Sequence, residues 1–274
     1  MLRSLLFAPG SDERKLGRAL ETDAHATVAD LEDAVAPDEK GSARDTVARV
    51  LARPRRSSSL RLIRVNGADS PELAADLELV ASVDVDAIVL PKASPEAVTA
   101  LGFSGPPVVA LIETAAGLRA AYETACATRV FALMLGGVDL GAELGLESRR
   151  DGLELLYARS QIVVDSAAAG LRPPLDVVHL ATRDDAGLEA ECSLAKSLGF
   201  GGKACIHPAQ VGIVNRVFAP AAGDVAWARE VIAAAESGLR AGRGAVALDG
   251  ALVDAPVVTR ARRILAEAEG SEAR

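Results

Sequence analysis

The stretch LRLIRVNGADSPELAADLELVASVDVDAIVLPK, residues 60–92, decides the fold. Its two ends, Leu60–Asn66 and Asp86–Lys92, are short runs rich in branched apolar residues, which indicates buried strands. Between them, Pro71–Ser82 has a helical period and places a proline at its first turn, directly after Ser70. A strand, a helix and a second strand in this order predict a βαβ unit with parallel strands.

The same alternation continues along the whole chain. Helical segments such as Pro37–Ala52 and Asp184–Leu198 separate further apolar runs. The six further candidate strands are Ser4–Pro9, Ala26–Leu31, Val108–Thr114, Phe131–Gly137, Pro174–Leu180 and Gly202–Pro208. Eight strands alternating with helices predict an α/β protein with a closed (β/α)8 barrel, a TIM barrel of about 250 residues. An open doubly wound sheet is the alternative, and the lack of a glycine-rich dinucleotide turn after the first strand disfavours it.

The pattern changes after the eighth unit. We predict a barrel domain over residues 1–221, with two helices in the long segment Val138–Leu171. Residues 222–274 are predicted to form a C-terminal helical extension, with one helix at Asp224–Ala241 and a last helix that ends near Ala268. The segment GRGAVALDGALVDAP joins these two helices, and Pro256 is expected to start the second.

Composition excludes several classes of protein. Hydrophobic residues make up 50% of the 274 residues and aromatic residues only 3%, which suits a barrel core of small branched side chains. A net charge of −8 argues against nucleic acid as a partner. The apolar runs are too short for a signal peptide or a membrane span. Cys126, Cys192 and Cys205 lack metal-site spacing, so we expect buried thiols in a reducing compartment, and a cytoplasmic protein.

Charged residues cluster where the predicted strands end, which in barrels is the active-site face. These rim residues are Glu32, Asp33, Arg64, Asn66, Lys92, Glu113, Gly136, Gly137, Asp139, Lys203 and His207. Glu113 and Asp139 follow neighbouring strands, and one or two carboxylates suffice for Mg²⁺, whose other ligands are waters and substrate oxygens. Either carboxylate could instead cap a helix or pair with a base. Gly136 and Gly137 could present backbone amides to an anion.

Arg64 stands in an otherwise apolar strand, where a charge is costly unless it is paired or functional. It could form a structural ion pair with Glu32 or Asp33, or donate to a substrate carboxylate or enolate oxygen. Lys40 and Arg44 lie one helical turn apart. They form either a solvated helix face or, near the rim, a contact for a phosphate.

A series of segments between Phe7 and Asp254 matches a known family in order and spacing. They are FAPGSDERK, LEDAVAPDEKGSARD, IRVNG, VLPKA, ALIETAAG, GGVDL, GKACIHP and ALDGALVDAP. On these motifs the chain resembles the citrate lyase β-subunit-like branch of the HpcH/HpaI aldolase/citrate lyase family. This branch also holds malyl-CoA and citramalyl-CoA lyases.

The resemblance implies a (β/α)8 barrel with Mg²⁺ on Glu113 and Asp139. It implies that Arg64 contacts a keto-acid or thioester oxygen, and that Glu32 and Asp33 organise Arg64 and the waters of the metal ion. Substrate contacts at Gly136, Gly137 and Asp139 belong to the same expectation. Asp254 would act as the acid–base residue in the site of a neighbouring subunit, which implies a homo-oligomer, a trimer or hexamer.

The resemblance therefore predicts a magnesium-dependent carbon–carbon lyase. Its substrate would be a 3-hydroxyacyl-CoA such as citramalyl-, malyl- or citryl-CoA, cleaved to a keto acid and an acyl-CoA or formed in the reverse condensation. An acyl-carrier-protein thioester remains an alternative carrier. Arg14, Lys40 and Arg44 are the basic residues expected to bind the carrier over the first two βα loops. The rival functions are a class II pyruvate-type aldolase without a thioester and a non-catalytic subunit that binds an acyl thioester.

Overall fold

A computed structural model describes residues 2–55, 57–102 and 104–272 of the chain. These residues form two compact units, 2–218 and 219–272. The predicted boundary lay at residue 221, close to the observed division. Among the described residues, no helix combines the length and the apolar character needed to cross a membrane.

The first unit is a closed barrel of eight parallel strands in sequence order. The strands are β1 Ser4–Pro9, β2 Ala26–Asp30, β3 Leu60–Arg64, β4 Ala87–Leu90, β5 Val108–Ile112, β6 Val130–Leu135, β7 Leu175–Asp176 and β8 Gly202–Cys205. The last strand pairs with the first, with Ala204 opposite Leu5, and this pairing closes the barrel. The predicted (β/α)8 barrel is confirmed, and each strand overlaps the run that predicted it.

Ten α-helices accompany the strands of the described barrel unit. They are α1 Glu13–Ala19, α2 Lys40–Leu51, α3 Leu73–Ser82, α4 Pro95–Ala100, α5 Ala115–Arg119, α6 Ala121–Ala125, α7 Gly137–Leu144, α8 Leu156–Ala168, α9 Asp185–Leu198 and α10 Pro208–Phe218. Short 3-10 helices at Pro37–Glu39 and Leu153–Leu155 precede α2 and α8. The helices predicted from the periodicity are present, and Asp184 caps α9 through a hydrogen bond from the Gly187 N–H. Pro71 precedes α3, which begins at Leu73, so its predicted place in the first helical turn is wrong.

Several predicted strands extend beyond the observed ones at their C-terminal ends. β3 ends at Arg64 rather than at Asn66, because the Asn66 N–H donates to the Asp76 side chain at 2.7 Å instead of to a strand. β4 ends at Leu90, before Lys92 takes a left-handed backbone conformation. The predicted runs extend past the last paired residue of each strand, and the residues beyond it already belong to the loops at the rim.

Alternation along the strands places the core in two layers. Inward-facing residues fill the barrel, and outward-facing residues pack against the helices. The inner layer includes Leu5, Val28, Leu62, Val89 and Leu111, and the outer layer includes Leu6, Ala29, Ile63, Ile88 and Ile112. Continuing the inner register by two residues leads from Val28 to Asp30, from Leu62 to Arg64 and from Leu111 to Glu113. The inward-facing register therefore places three charged side chains at the C-terminal ends of the barrel strands.

Lys203 does not lie at the rim, and that expectation is wrong. Its side chain is fully buried, with its ammonium 2.8 Å from Asp176 and 3.0 Å from Glu191, and Arg159 also pairs with Asp176 at 2.9 Å. Burial alone would lower the pKa of Lys203, but the carboxylates of Asp176 and Glu191 raise it overall. Removing one member of such a buried cluster typically costs about 3–5 kcal/mol, so we assign Lys203 to stability.

The three cysteines differ in their surroundings. Cys192 and Cys205 are buried, as predicted, and burial raises the pKa of each thiol to about 12. These two thiols therefore stay protonated and unreactive near neutral pH. Cys126 is exposed directly after α6, so the prediction that it is buried is wrong.

The second unit contains two helices and a β-hairpin. The elements are α11 Ala222–Arg240, β9 Val246–Leu248, β10 Ala251–Val253 and α12 Ala255–Glu272. A small core of Ala228, Val231, Val253 and Ala261 holds the unit together. The sequence analysis missed the hairpin because its strands have three residues each, too few for a periodic signal. The dipeptide Asp249–Gly250 is typical of hairpin turns and could have indicated the hairpin, and its residues have φ of 49° and 79°.

Candidate active site

A cavity of about 430 Å³ opens at the C-terminal ends of the barrel strands. Phe7, Leu111, Met134 and Val177 give it an apolar wall. Its polar lining consists of Asp30, Asp33, Arg64, Glu113, Gly136 and Asp139. Five of these six residues were predicted at the rim from the sequence, and Asp30 was not.

Glu113 follows β5 and is only 3% exposed. Its Oε1 accepts a hydrogen bond of 2.8 Å from the Lys92 backbone N–H. Burial raises the pKa of Glu113 to about 7, and the negative charges of Glu32 and Asp139 add to the increase. A carboxylate in this position is therefore costly to ionise unless a cation joins it.

Gly136 allows Glu113 to lie against the backbone that leads into α7. A Cβ atom at position 136 would stand 2.3 Å from the Cβ and 2.8 Å from Oε2 of Glu113. The Gly136 N–H donates to the Ile112 carbonyl oxygen at 2.8 Å, so the prediction that the Gly136 amide faces an anion is wrong. Gly137 is buried beside Leu155 and Val177, where a Cβ would meet Leu155 at 2.7 Å.

Asp139 lies in the first turn of α7 and is exposed to the cavity. Gly136 is the N-cap residue, and within the described chain no side chain makes a capping hydrogen bond to this helix. The capping alternative for Asp139 is therefore wrong. The positive end of the helix dipole still favours a carboxylate at this position.

The donor set of the cavity fits a hard divalent cation. Glu113 and Asp139 supply carboxylate oxygens, and the described residues contain no group of three or more His, Cys, Asp or Glu side chains that could hold a metal ion. Zinc sites normally use at least three protein ligands, often nitrogen or sulfur. Two carboxylates beside an open cavity instead suit Mg²⁺, which keeps several water molecules.

Arg64 links the carboxylates on one side of the cavity. Its Nε and Nη2 donate to the two oxygens of Asp30 at 2.7 and 2.6 Å, and Nη1 lies 2.8 Å from Glu32 and 3.9 Å from Asp33. Burial by itself lowers the pKa of Arg64, but Asp30 and the neighbouring carboxylates raise it overall. The predicted ion pair with Glu32 is present, and Arg64 also lines the cavity, while its contact with a substrate oxygen stays a prediction.

Asp30 is the site residue that sequence reasoning missed. It is 2% exposed and stands opposite Arg64 in the β2–β3 pairing. The signal was available, because Asp30 is a carboxylate inside an apolar strand, as unusual there as Arg64 is in the next one. Its bidentate contact fixes the guanidinium plane of Arg64.

Glu32 lies behind Arg64 and is 6% exposed. Burial raises the pKa of Glu32, and the charge of Arg64 offsets part of the increase. Its Oε2 is 2.8 Å from Nη1 of Arg64, yet the direction is too poor for a hydrogen bond. Its Oε1 is 3.5 Å from the Lys92 ammonium. Glu32 thus connects the two cations of the rim.

Lys40 has a structural role. Its ammonium donates to the carbonyl oxygens of Leu31 and Glu32 at 2.7 and 2.8 Å, and to the Asn66 side chain at 2.8 Å. These contacts use all three of its N–H groups, so its predicted contact with a carrier phosphate is not supported by the geometry. Lys40 instead holds the backbone that carries Glu32.

Arg44 and Arg14 also lie in different surroundings. Arg44 pairs with Glu72 at 2.8 Å and with the buried Asp76 at 2.9 Å, which leaves little of its charge for a phosphate. Arg14 lines a second cavity of about 460 Å³, together with Lys15, Arg18 and His207. This second cavity shares Phe7, Ala8, Pro9 and Ile206 with the first. Of the three predicted carrier contacts, Arg14 therefore lies beside the reaction cavity.

Asp254 lies at the N-terminus of α12 in the second unit. Its Oδ1 accepts a hydrogen bond of 3.4 Å from the Val257 N–H, and its carbonyl oxygen accepts one of 3.0 Å from the Val258 N–H. The carboxylate is partly exposed. Within one chain Asp254 therefore caps the last helix, and its action in a neighbouring subunit stays a prediction.

Comparison with known proteins gives matches along most of the chain. The family model for HpcH/HpaI aldolase/citrate lyase matches residues 3–102 and 104–208. A (3S)-malyl-CoA thioesterase of Cereibacter sphaeroides is 41% identical over 271 residues, covering 97% of this chain and 94% of that protein. The citrate lyase subunit beta of Escherichia coli is 34% identical over 282 residues, covering 97% and 93%.

Solved structures match the fold as well as the sequence. The crystal structure of CitE from Mycobacterium tuberculosis in complex with magnesium, acetoacetate and coenzyme A is 36% identical, with a TM-score of 0.84 and coverage of 97% and 98%. A citrate lyase beta subunit from M. tuberculosis with oxaloacetate and magnesium is 34% identical, with a TM-score of 0.71 and coverage of 79% and 96%.

Proposed function

Because the chain belongs to the HpcH/HpaI aldolase/citrate lyase family, we propose that it is a magnesium-dependent carbon–carbon lyase acting on a 3-hydroxyacyl thioester of coenzyme A. One observation carries the proposal: two carboxylates, Glu113 and Asp139, and an arginine, Arg64, line one cavity at the barrel rim. Relatives solved with magnesium, coenzyme A and keto acids support the same assignment.

The proposed reaction needs a cation on each side of the breaking bond. Cleavage removes the proton of the 3-hydroxyl group, breaks the C2–C3 bond and leaves a keto acid and a thioester enolate. Mg²⁺ held by Glu113 and Asp139 would act as a Lewis acid toward the substrate oxygens. Arg64, fixed by Asp30, donates to the oxygen that becomes the enolate, where a preorganised donor stabilises the developing charge.

Proton transfer requires a further acid–base group, for which we propose Asp254 of a neighbouring subunit. Asp254 is partly exposed at the N-terminus of α12, and in cleavage it would pass the hydroxyl proton to the enolate carbon. This assignment requires a homo-oligomer, and both the oligomer and the cytoplasmic location stay predictions.

We propose the cavity around Arg14 as the binding site for the carrier. Arg14, Lys15 and Arg18 give it basic residues, and it adjoins the reaction cavity. Coenzyme A carries several phosphate charges, which basic side chains attract most strongly at low salt. This proposal replaces Lys40 and Arg44 by Lys15 and Arg18. An Arg14→Ala, Arg18→Ala double variant should raise KM in a salt-dependent way and leave kcat nearly unchanged.

Thioester hydrolysis is the second candidate function, favoured by the 41% identity to a malyl-CoA thioesterase. The same donors that stabilise an enolate can polarise a thioester carbonyl toward water. Hydrolysis would release a hydroxy acid and free coenzyme A, whereas cleavage of malyl-CoA gives glyoxylate and acetyl-CoA. The two reactions therefore differ in whether a free thiol or a keto acid appears.

The test is a panel of malyl-, citramalyl- and citryl-CoA, each with and without Mg²⁺. A coupled dehydrogenase reports the keto acid and a thiol reagent reports free coenzyme A. We expect keto acid to form with Mg²⁺ only, and Glu113→Ala and Asp139→Ala to lose this activity while keeping their circular dichroism. Thiol without keto acid would replace the lyase by a thioesterase. A hydroxy keto acid without coenzyme A is assayed beside the panel, and cleavage of that compound alone would indicate the pyruvate-type aldolase. No turnover of any compound would favour a binding subunit.

A further inference from the structure

The chain departs from regular pairing between β4 and β5. Leu90 stands opposite Ala110, yet the next hydrogen bond in the ladder runs from the Ala93 N–H to the Leu111 carbonyl oxygen, at 3.0 Å. Pro91 and Lys92 therefore form a bulge on the β4 side. Lys92 has a φ of 47°, a left-handed conformation that residues other than Gly, Asn and Asp seldom adopt.

The bulge directs one backbone N–H at a functional carboxylate. The Lys92 N–H donates to Glu113 Oε1 at 2.8 Å, and Glu113 is almost fully buried. Glu113 Oε2 lies on the other side, against the backbone at Gly136, which leads to Asp139. The hydrogen bond takes one lone pair of Oε1, so Oε2 is the oxygen better placed to face a cation in the cavity.

We propose that the left-handed backbone of Lys92 is the positioning device that makes Glu113 bind the metal ion through Oε2 alone. This inference rests on the proposed magnesium site. A carboxylate that presents one oxygen would leave more ligand positions for Asp139, water and substrate than one that chelates through both oxygens. Strained backbone persists where the surrounding structure enforces it, and it is concentrated at functional sites.

Neighbouring contacts hold the bulge in place. Pro91 fixes its own φ, and Ala93 is completely buried. A Cβ atom on Gly117 would stand only 2.9 Å from the Ala93 carbonyl oxygen, so the start of α5 packs closely against the bulge. These contacts leave Lys92 little freedom to relax to a right-handed or extended conformation.

The ammonium group of Lys92 has a separate role. It is 54% exposed and lies 3.5 Å from Glu32, not on Glu113. A positive charge near the metal site repels Mg²⁺, so its removal should leave Mg²⁺ affinity unchanged or slightly higher. Loss of the left-handed backbone should lower the affinity. The two contributions therefore have opposite signs, and substitutions can separate them.

The experiment measures Mg²⁺ affinity by isothermal titration calorimetry on purified protein without substrate. Lys92→Gly and Lys92→Asn keep access to the left-handed region, and Lys92→Met removes only the ammonium. We expect these three variants to bind Mg²⁺ at least as tightly as wild type, within about twofold. Lys92→Val, whose branched Cβ strongly disfavours φ near 47°, should bind about tenfold more weakly. Arg129→Val, at a left-handed residue away from the cavity, controls for general loss of stability.

The outcomes separate this inference from the proposed metal site. If wild type binds Mg²⁺, Glu113→Gln does not, and Lys92→Val binds normally, the backbone inference is overturned and the metal site stands. Equal weakening in Lys92→Met and Lys92→Val also overturns it. If Glu113→Gln binds like wild type, the metal site fails and the inference fails with it. Pro91→Gly, which loosens the bulge without adding a side chain, should weaken Mg²⁺ binding even if Lys92→Val does not fold.

Discussion

Replacing Gly136 by alanine adds one methyl group at the point where Glu113 crosses the backbone. The φ of Gly136 is −96°, which alanine can adopt, so the effect is steric. The new Cβ would stand 2.3 Å from the Glu113 Cβ and 3.2 Å from a methyl group of Leu111. Nonbonded carbons approach to about 3.5–4.0 Å, so Glu113 must move by more than about 1 Å.

Such a displacement has two measurable consequences. Overpacking of this kind costs roughly 1–3 kcal/mol of stability. A misplacement of about 1 Å at a reacting group can cost about 100-fold in rate. We therefore expect Gly136→Ala to remain folded, to bind Mg²⁺ more weakly and to lose roughly 100-fold in kcat on the best substrate of the CoA thioester panel.

Gly141→Ala is the matched control, because it lies in the same helix α7 and its Cβ would meet nothing within 4 Å. Alanine replaces glycine in a helix with a gain of up to about 1 kcal/mol, so this variant should be slightly more stable and fully active. Calorimetric Mg²⁺ affinity and steady-state rates compare the two variants. Wild-type affinity and turnover in Gly136→Ala would refute the view that Glu113 needs a residue without a side chain at position 136.

Three further predictions follow from the site. Since burial raises the pKa of Glu113 from 4.5 to about 7, this group favours folding in its protonated form. The metal-free protein should therefore lose roughly 3 kcal/mol of unfolding free energy as pH rises from about 4 to 8. Mg²⁺ should raise Tm more at pH 8 than at pH 5.5. The Glu113→Gln variant should show neither effect. Arg64→Lys should lower kcat about 100-fold or more, because a point charge cannot keep the two bonds to Asp30 and still donate to substrate; normal turnover would restrict Arg64 to a structural pair. Mixing inactive Asp254→Ala with inactive Glu113→Ala should restore part of the activity if the acid acts in a neighbouring subunit, and no recovery despite proven subunit exchange would contradict that assignment.

The sequence was sufficient for the barrel and for the main cavity residues for the same physical reason. Apolar runs of strand length identify buried strands. A charged residue at the end of such a run is expected at the rim, because burying it in the core would be costly. Arg64, Glu113 and Asp139 follow from this rule, and Asp30 obeys it too, since it lies one residue before the predicted end of its strand at Leu31.

The remaining features depend on contacts between residues far apart in the chain. Lys40 looked like a surface charge because its partner Asn66 belongs to a different βα unit. Lys203 stands in a strand buried on both faces, where the apolar pattern does not show which residues point into the barrel. The left-handed backbone of Lys92 leaves no mark in its residue type. Periodicity cannot report these contacts, since each requires the folded neighbour to be in place.

The charges of the rim predict an order of binding. Even with Glu113 protonated, the carboxylates of Asp30, Glu32, Asp33 and Asp139 outnumber the two cations, Arg64 and Lys92, among the described contacts of the site. A keto-acid carboxylate that enters this surplus of negative charge is repelled until a divalent cation has bound. Mg²⁺ should therefore bind to the free protein, whereas glyoxylate or oxaloacetate should bind measurably only after Mg²⁺. Titration calorimetry in both orders tests this, and equal affinity of a keto acid with and without Mg²⁺ would show that Arg64 alone, rather than the metal ion, recognises the carboxylate.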